Sequence, residues 1–172
     1  MSNPHRQAVY GILFDEDRKN VLLIQRRDIP VWVLPGGGVD PSESPEKATI
    51  REMLEETGYQ VEILRKVAEY LPVNKLTEFT HFYEVKILSG RPSKGSETKN
   101  IRFFSVIELP RSLMPPPFAA WIADALPPGR PMLTKKVEGV SYWILLKLLI
   151  LHPILVGRFL LTKMGIHINS KD

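Results

Sequence analysis

The chain has 172 residues, of which 44% are hydrophobic and 24% charged, as expected for one folded domain with a possible appendage. It contains no cysteine, which excludes disulfides and thiolate metal sites. The first 125 residues carry 16 basic and 17 acidic residues, whereas the last 47 carry 7 and 2. The excess positive charge is therefore C-terminal, which argues against a general nucleic-acid-binding face on the main domain.

The N-terminal half begins with predicted strands. Residues 7–14 and 21–25 are apolar runs separated by a polar turn, and residues 31–34 form a shorter run. Three glycines follow at 36–38. Because consecutive glycines weaken regular structure, they predict a loop. The first residues of the chain lack an apolar signal-peptide segment, so a cytoplasmic location is expected.

A helix is predicted at residues 45–57. Ser44 is a good N-cap, Pro45 suits the first helical position, and Gly58 suits the C-terminal stop. One side of this helix carries Ile50, Met53, Leu54 and Thr57. We expect this side to pack on a sheet.

The rest of the main domain alternates strands and one further helix. Residues 61–70 and 77–88 are predicted strands, 89–100 a polar loop, 101–106 a strand and 118–126 a helix. The segment 127–131 is rich in proline and glycine and indicates a boundary. Strands on both sides of a strong helix predict an α/β fold with a mixed sheet between helices.

The predicted helix carries an acidic face. Glu52, Glu55 and Glu56 stand at i, i+3 and i+4, and like charges at this spacing repel each other. A hard divalent cation would offset that repulsion, since it binds carboxylate oxygens and can also bind phosphates. A solvated acidic face is the plainer interpretation of these three residues taken alone.

The surrounding spacing favours the metal. Gly37 is followed after five residues by Glu43, after seven more by Arg51-Glu52-Met53, and then by Glu55-Glu56 and Gly58-Tyr59. This string resembles the Nudix hydrolase box at every fixed position. The resemblance extends over about residues 6–126 and implies an α/β/α sandwich with a mixed sheet.

The resemblance also implies roles for individual residues. The metal ligands would be Glu52, Glu55, Glu56 and the carbonyl group of Gly37, and the metal would be Mg²⁺ or Mn²⁺. A catalytic base would be a glutamate of the box, Glu55 or Glu56, or an acid on a later loop. Glu97 is the candidate for the later acid, although a lone loop glutamate is more often only a solvated charge.

Two further residues of the box are implied to be structural. Glu43 and Arg51 would pair with and orient the metal-binding groups. The chain departs from many family members at Asp40-Pro41-Ser42, where a glutamate and a glycine are common. This departure stiffens the turn but leaves the implied metal ligands unchanged.

The expected activity is metal-dependent hydrolysis of a diphosphate linkage in a nucleoside diphosphate derivative. That class includes nucleotide sugars, molecules like ADP-ribose, and nucleoside triphosphates, so the expected partner is a small nucleotide. Two alternatives stay open: removal of diphosphate from the 5′ end of RNA, and a non-catalytic nucleotide-binding module. No substrate-binding residue is assigned.

The C-terminal quarter is predicted to be a separate module. The predicted division is a domain at 1–126, a linker at 127–138, an apolar, basic helical extension at 139–165 and a polar tail at 166–172. Because residues 140–161 are strongly apolar, the extension would pack on the domain or a second subunit, lie on a membrane surface, or span a membrane. The first two alternatives predict a homodimer partner or a peripheral membrane location.

Overall fold

The structure is a computed structural model, and it describes residues 6–151, 153, 154, 156, 157 and 161. The described strands are β1 Gln7–Leu13, β2 Asn20–Arg26, β3 Trp32–Val33, β4 Gly36–Gly38, β5 Tyr59–Leu71, β6 Phe79–Gly90, β7 Thr98–Ser105 and β8 Leu133–Lys136. The described α-helices are α1 Pro45–Thr57, α2 Phe118–Ala125 and α3 Tyr142–Leu151, with a short 3-10 helix at Arg111–Leu113.

The strands form two sheets. The larger has the order β4-β1-β6-β5-β8, and the smaller has the order β3-β2-β7. Strand β1 pairs with β6 in parallel and β5 pairs with β8 in parallel, whereas the other pairings are antiparallel. The predicted mixed sheet and α/β class are therefore confirmed.

Helices α1 and α2 pack against different parts of the core. One buried cluster joins β1, β2, β5 and β6 to α2, where Trp121 stacks on Tyr70 with ring centroids 4.5 Å apart. A second cluster contains Met53 of α1 with side chains from β1, β2, β5 and β6. This packing fixes α1, and with it the acidic face, against the sheets.

The prediction of a loop at residues 36–38 is wrong. These glycines form β4, an edge strand that pairs antiparallel with β1. The pairing is possible because an edge strand needs one neighbour only, and the backbone can come very close where side chains are absent. A Cβ atom at Gly36 would lie 2.1 Å from the Val9 carbonyl oxygen, and one at Gly37 would lie 2.4 Å from Glu52 Oε1.

The predicted helix at 45–57 is confirmed, but its buried face was only partly predicted. Met53 and Thr57 are buried, as expected. Ile50 and Leu54 are 36% and 43% exposed, and the buried positions in their place are Ala48 and Thr49. The buried side of the helix is therefore centred on Thr49 and Met53, and Gly37 of β4 lies close to Glu52 beside it.

The C-terminal segment is joined to the main sheet. Strand β8 lies within the predicted linker, where no strand was predicted, and the backbone N–H of Val137 donates to the Leu71 carbonyl at 3.0 Å. Helix α3 lies within the predicted helical extension, and the described residues beyond it are helical too. The predicted polar tail at 166–172 lies outside the described residues. The division of the chain into domain, linker and extension stays a prediction.

In the part of the chain that the structure describes, no helix combines the length and the apolar character needed to cross a bilayer.

Gly58 ends α1 in a conformation that disfavours other residues. Its φ is 76°, and a Cβ atom there would lie 2.7 Å from the Arg91 carbonyl oxygen. We expect Gly58→Ala to lower the free energy of unfolding by about 2 kcal/mol or more, because a left-handed backbone alone costs about 1–2 kcal/mol. Gly129 has a φ of 68° with open space around it, so Gly129→Ala tests the backbone cost alone. Urea unfolding showing equal losses for both variants would contradict the role of the close contact.

Candidate active site

The three glutamates of α1 lie at different depths. Ser44 Oγ accepts a hydrogen bond from the Lys47 backbone N–H at 3.3 Å and begins the helix. One turn or more further on, the side chains of Glu52 and Glu56 are partly buried, whereas that of Glu55 is 58% exposed. The acidic face therefore runs from the surface into the body of the domain.

Arg51 connects the glutamates to the preceding loop. Its guanidinium donates to both carboxylate oxygens of Glu43, with Nη2 2.9 Å from Oε2, and Nη1 lies 2.7 Å from Glu52 Oε1. It also contacts Glu55 Oε2 at 3.4 Å and the Gly38 carbonyl at 3.1 Å. Hydrogen bonds from Arg51 lower the pKa of Glu43. This geometry suits the predicted orienting roles of Glu43 and Arg51, which stay predictions.

The glycine strand lies directly against two of the glutamates. The backbone N–H of Gly36 donates to Glu56 Oε2 at 2.8 Å, and Gly37 leaves no space for a side chain beside the Glu52 carboxylate. The structure thus places the glycines directly against the acidic face. The contact from Gly36 to Glu56 was not predicted, since sequence spacing does not reveal which amide meets which carboxylate.

Burial gives Glu56 unusual acid–base behaviour. Desolvation raises its pKa from 4.5 to about 8, the Gly36 hydrogen bond opposes this shift, and the negative charge of Glu52 adds to it. Burial also raises the pKa of Glu52, although its hydrogen bond with Arg51 lowers it. Carboxyl groups whose pKa is raised by burial and by neighbouring negative charge are frequent at functional sites.

The raised pKa predicts how stability depends on pH when a chelator is present. The folded state holds the Glu56 proton up to about pH 8, whereas the unfolded state releases it near pH 4.5. Between these values the folded state binds more protons, so its stability falls as the pH rises, by at most about 1.4 kcal/mol per pH unit. The lowered pKa of Glu43 acts in the opposite sense but at lower pH. Urea unfolding from pH 5 to 8 checks this, and an equal slope for Glu56→Gln would contradict it.

Glu97 lies in the neighbourhood of these glutamates. It is exposed on the loop between β6 and β7, and its negative charge contributes to the raised pKa values of Glu52 and Glu56. The loop is held against α1, since a Cβ atom at Gly95 would lie 2.1 Å from the Glu55 carbonyl oxygen. The structure thus brings Glu97 to the acidic face, and its catalytic role stays a prediction.

Glu56 of the acidic face lines a cleft of about 770 Å³. Glu56 and Gly36 line it at one place, together with Tyr10 and Arg26. Arg26 forms a two-pronged ion pair with Asp28, and its charge lowers the pKa of Glu56. Neither Tyr10 nor Arg26 was predicted, because each is an ordinary strand residue until the strands are assembled.

The other wall of the cleft comes from the C-terminal extension. Val140, Ser141, Ile144 and Val156 line the same cleft as Glu56. A cleft of this volume suits a ligand of nucleotide size. The extension was predicted as a separate module, and its participation in the wall beside the acidic helix could not be read from the sequence.

The oxygen-rich site fits a hard divalent cation in its donor chemistry. Carboxylates and backbone carbonyls are the ligands that such cations prefer, and Glu56 is a partly buried acid near the negative charges of Glu52 and Glu97. Over the described residues, however, no three acidic or histidine side chains are arranged as a ready-made metal cage. Arg51 holds oxygens of Glu52 and Glu55 in this arrangement.

Comparison with known proteins agrees with this architecture. The NUDIX domain profile matches residues 4–127. A protein of Bacillus subtilis (strain 168), provisionally named as an 8-oxo-dGTP diphosphatase, is 37% identical over 112 residues, which make up 64% of this chain and 74% of that protein. An RNA pyrophosphohydrolase of Roseobacter denitrificans is 40% identical over 68 residues, but these make up 38% of this chain and 42% of that protein.

A solved structure shows the same fold. The crystal structure of an ADP-ribose pyrophosphatase from Streptococcus suis 89-1591 has 28% sequence identity and a TM-score of 0.61, and the match covers 76% of this chain and 98% of that one. A mixed-sheet α/β domain with these relatives defines the class of pyrophosphohydrolases that cut diphosphate linkages. Within that class, the chain belongs to the NUDIX domain family. The alternative of a non-catalytic module is therefore set aside.

Proposed function

We propose that this Nudix pyrophosphohydrolase hydrolyses a diphosphate linkage in a nucleoside diphosphate derivative. The observation that carries this proposal is that Glu56 and Gly36 line the same cleft, which is large enough for a nucleotide. The reacting diphosphate would lie at the acidic end of that cleft. The remainder of the substrate would lie between β3 and the C-terminal extension, against Val33 and Ile144.

Mg²⁺ or Mn²⁺ would be held by Glu52, Glu55 and Glu56 with the carbonyl of Gly37. Nudix hydrolases generally use divalent metal ions. A bound cation would neutralise charge on the diphosphate and make water easier to deprotonate. Arg51, through its contacts with Glu43 and Glu52, would orient these carboxylates.

A carboxylate of the protein would accept the proton that the attacking water loses. The oxygen of water forms a bond to one phosphorus, the bridging bond from that phosphorus to oxygen breaks, and the other phosphate leaves. The proton of the attacking water passes to a carboxylate within reach. Glu56 is supported by its place in the cleft, and Glu55 and Glu97 are supported by their nearness to Glu52, whose pKa both of their charges raise.

The substrate class is supported by size and by relatives. Apolar walls with a few polar groups at one end are typical of sites for small molecules that stack an aromatic ring. The names of the similar proteins include 8-oxo-dGTP and ADP-ribose. Both molecules carry a diphosphate linkage attached to a nucleoside, which is the shared chemistry that the proposal requires.

Hydrolysis at the 5′ end of RNA is the second candidate. The likeness to an RNA pyrophosphohydrolase favours it. A long polyanion would need a basic surface along its path, whereas the first 125 residues have a net charge of −1. The nucleotide proposal is therefore preferred.

A substrate panel tests the proposal. ADP-ribose, a nucleotide sugar, 8-oxo-dGTP, a nucleoside triphosphate and an RNA with a 5′ triphosphate would be incubated with the full chain and Mg²⁺, and the phosphorus-containing products measured by ³¹P NMR. We expect turnover of at least one nucleotide to a nucleoside monophosphate, with much slower turnover of the RNA. Preferred cleavage of the RNA would favour the second candidate, and no turnover of any substrate would contradict both.

A further inference from the structure

Helix α3 exposes a broad apolar face. In α3, Trp143 is 80% exposed and Ile150 75%, and Tyr142 and Leu146 are also exposed. Ile154, just beyond α3, is 76% exposed and is counted with this outward face. Within α3 the exposed positions recur at intervals of three or four residues, so they share one side of the helix. Large apolar patches of this kind on a folded domain mark a surface that contacts something else.

The opposite side of the same segment is held by the domain. Val156 is buried, and Ile144 is partly buried in the wall of the cleft. The Asn74 side chain donates to the Val140 carbonyl at 2.9 Å, immediately before the helix. Ile144 and Val156 therefore face the domain, whereas the exposed apolar side chains face away from it.

Charge indicates what covers this face. Residues 139–171 contain no aspartate or glutamate but four basic residues, Lys147, Arg158, Lys163 and Lys171. Lys147 is exposed within α3 itself. A second copy of the chain would bring like charges together, whereas an anionic surface would be attracted.

The exposed side chains also match a lipid interface in kind. Tryptophan and tyrosine favour the headgroup level of a bilayer, where the ring is buried and its polar end stays wet. A lysine on the same side can extend its ammonium group to lipid phosphates while its stem stays on apolar surface. Together with the charge, these properties favour a lipid surface over a protein partner.

We propose that the outward face of α3 docks on the surface of an anionic lipid bilayer. The helix lies parallel to the surface, with Trp143, Ile150 and Ile154 in the boundary between headgroups and acyl chains and Lys147 at the headgroups. Because Ile144 lines the cleft from the inner side of the same helix, docking holds the catalytic cleft next to the membrane. The proposal does not depend on which substrate the enzyme cleaves.

Vesicle co-sedimentation of the full chain tests this proposal. The vesicles would consist of phosphatidylcholine alone or of phosphatidylcholine mixed with phosphatidylglycerol. We expect the wild type to bind the anionic vesicles at least about 10-fold more strongly than the neutral ones. The triple variant W143S, I150S and I154S should bind the anionic vesicles at least about 10-fold more weakly than the wild type does.

A matched control separates this face from surface hydrophobicity in general. Ile107 is 84% exposed in a loop outside α3, and I107S should bind like the wild type. Thermal melting checks that all variants are folded, which is expected because the changed side chains are exposed.

Three results would overturn the proposal. One is wild-type protein that stays in the supernatant with anionic vesicles, and another is a folded triple variant that binds as well as the wild type. The third is sedimentation velocity showing a dimer that the triple variant dissociates, which would assign the face to a second copy of the chain.

Discussion

Replacing Glu56 with glutamine is expected to lower kcat/KM for diphosphate hydrolysis by about 10²- to 10⁴-fold, the range found when a general base or a metal ligand is lost. Glutamine keeps the size of the side chain and can still accept the hydrogen bond from the Gly36 backbone N–H. It cannot take up a proton from water at neutral pH, and it offers a divalent cation one neutral oxygen in place of a charged carboxylate. Steady-state kinetics with a cleaved nucleotide and Mg²⁺ measure the change.

The free energy of unfolding shows whether Glu56→Gln loses activity because catalysis is impaired or because the protein is less stable. Because burial raises the pKa of Glu56 to about 8, the metal-free wild type must either hold a proton there or bury a charge at pH 8. Glu56→Gln removes that cost, so the variant should be at least as stable as the wild type in a chelator at pH 8. Glu108→Gln, at an exposed loop position, is the control and should keep full activity. Full activity in Glu56→Gln would remove this residue from the proposed site.

Replacing Glu84 with glutamine is expected to cost about 2–4 kcal/mol of folding free energy, close to the loss seen when one partner of a buried ion pair is removed. Glu84 is 5% exposed on β6 and pairs with Arg18, and with Arg65 at 2.8 Å. Both arginines also donate to the Ala125 carbonyl at the end of α2, at 2.8 and 3.0 Å. Removing the carboxylate leaves two partly buried cations facing each other, which weakens the attachment of the end of α2 to the sheet.

Urea unfolding measures this loss, and an exposed pair gives the control. Glu62 pairs with Lys86 at 2.5 Å, with side chains 43% and 55% exposed. Glu62→Gln should change stability by no more than about 0.5 kcal/mol, because exposed ion pairs contribute little. A similar small change for Glu84→Gln would mean that the buried network does not stabilise the attachment of α2.

The elements with strong local signals were predicted well. The bounds of α1 follow from Ser44, Pro45 and Gly58, whose capping and conformational preferences act within one turn of the helix ends. The helical spacing placed the glutamates on one face, and the resemblance to the box implied that Arg51 pairs with Glu43 on the loop just before the helix, a contact that the structure contains. Local chemistry of this kind leaves a clear trace in the sequence.

Features that depend on distant contacts were missed or only partly predicted. Strand β8 has four residues and a poor strand pattern, and it exists because β5 offers a free edge. Strand β4 is stable because its glycines fit between β1 and Glu52. Tyr10 and Arg26 enter the cleft through the assembly of the strands, which spacing along one segment cannot reveal.

The C-terminal extension was predicted in character but not in position. Its apolar composition and basic charge were evident, whereas its place in the wall of the cleft depends on the path through β8. A cytoplasmic location and a homodimer partner stay predictions.

Metal dependence of hydrolysis tests the central claim most directly. The full chain would be incubated in a chelator with a nucleotide that it cleaves, and excess Mg²⁺ or Mn²⁺ then added while product release is followed by ³¹P NMR. We expect no detectable turnover before the addition, rapid turnover after it, and little recovery for Glu56→Gln. Equal turnover with and without the cation, or equal recovery for the wild type and Glu56→Gln, would contradict a cation-dependent site on the acidic face of α1.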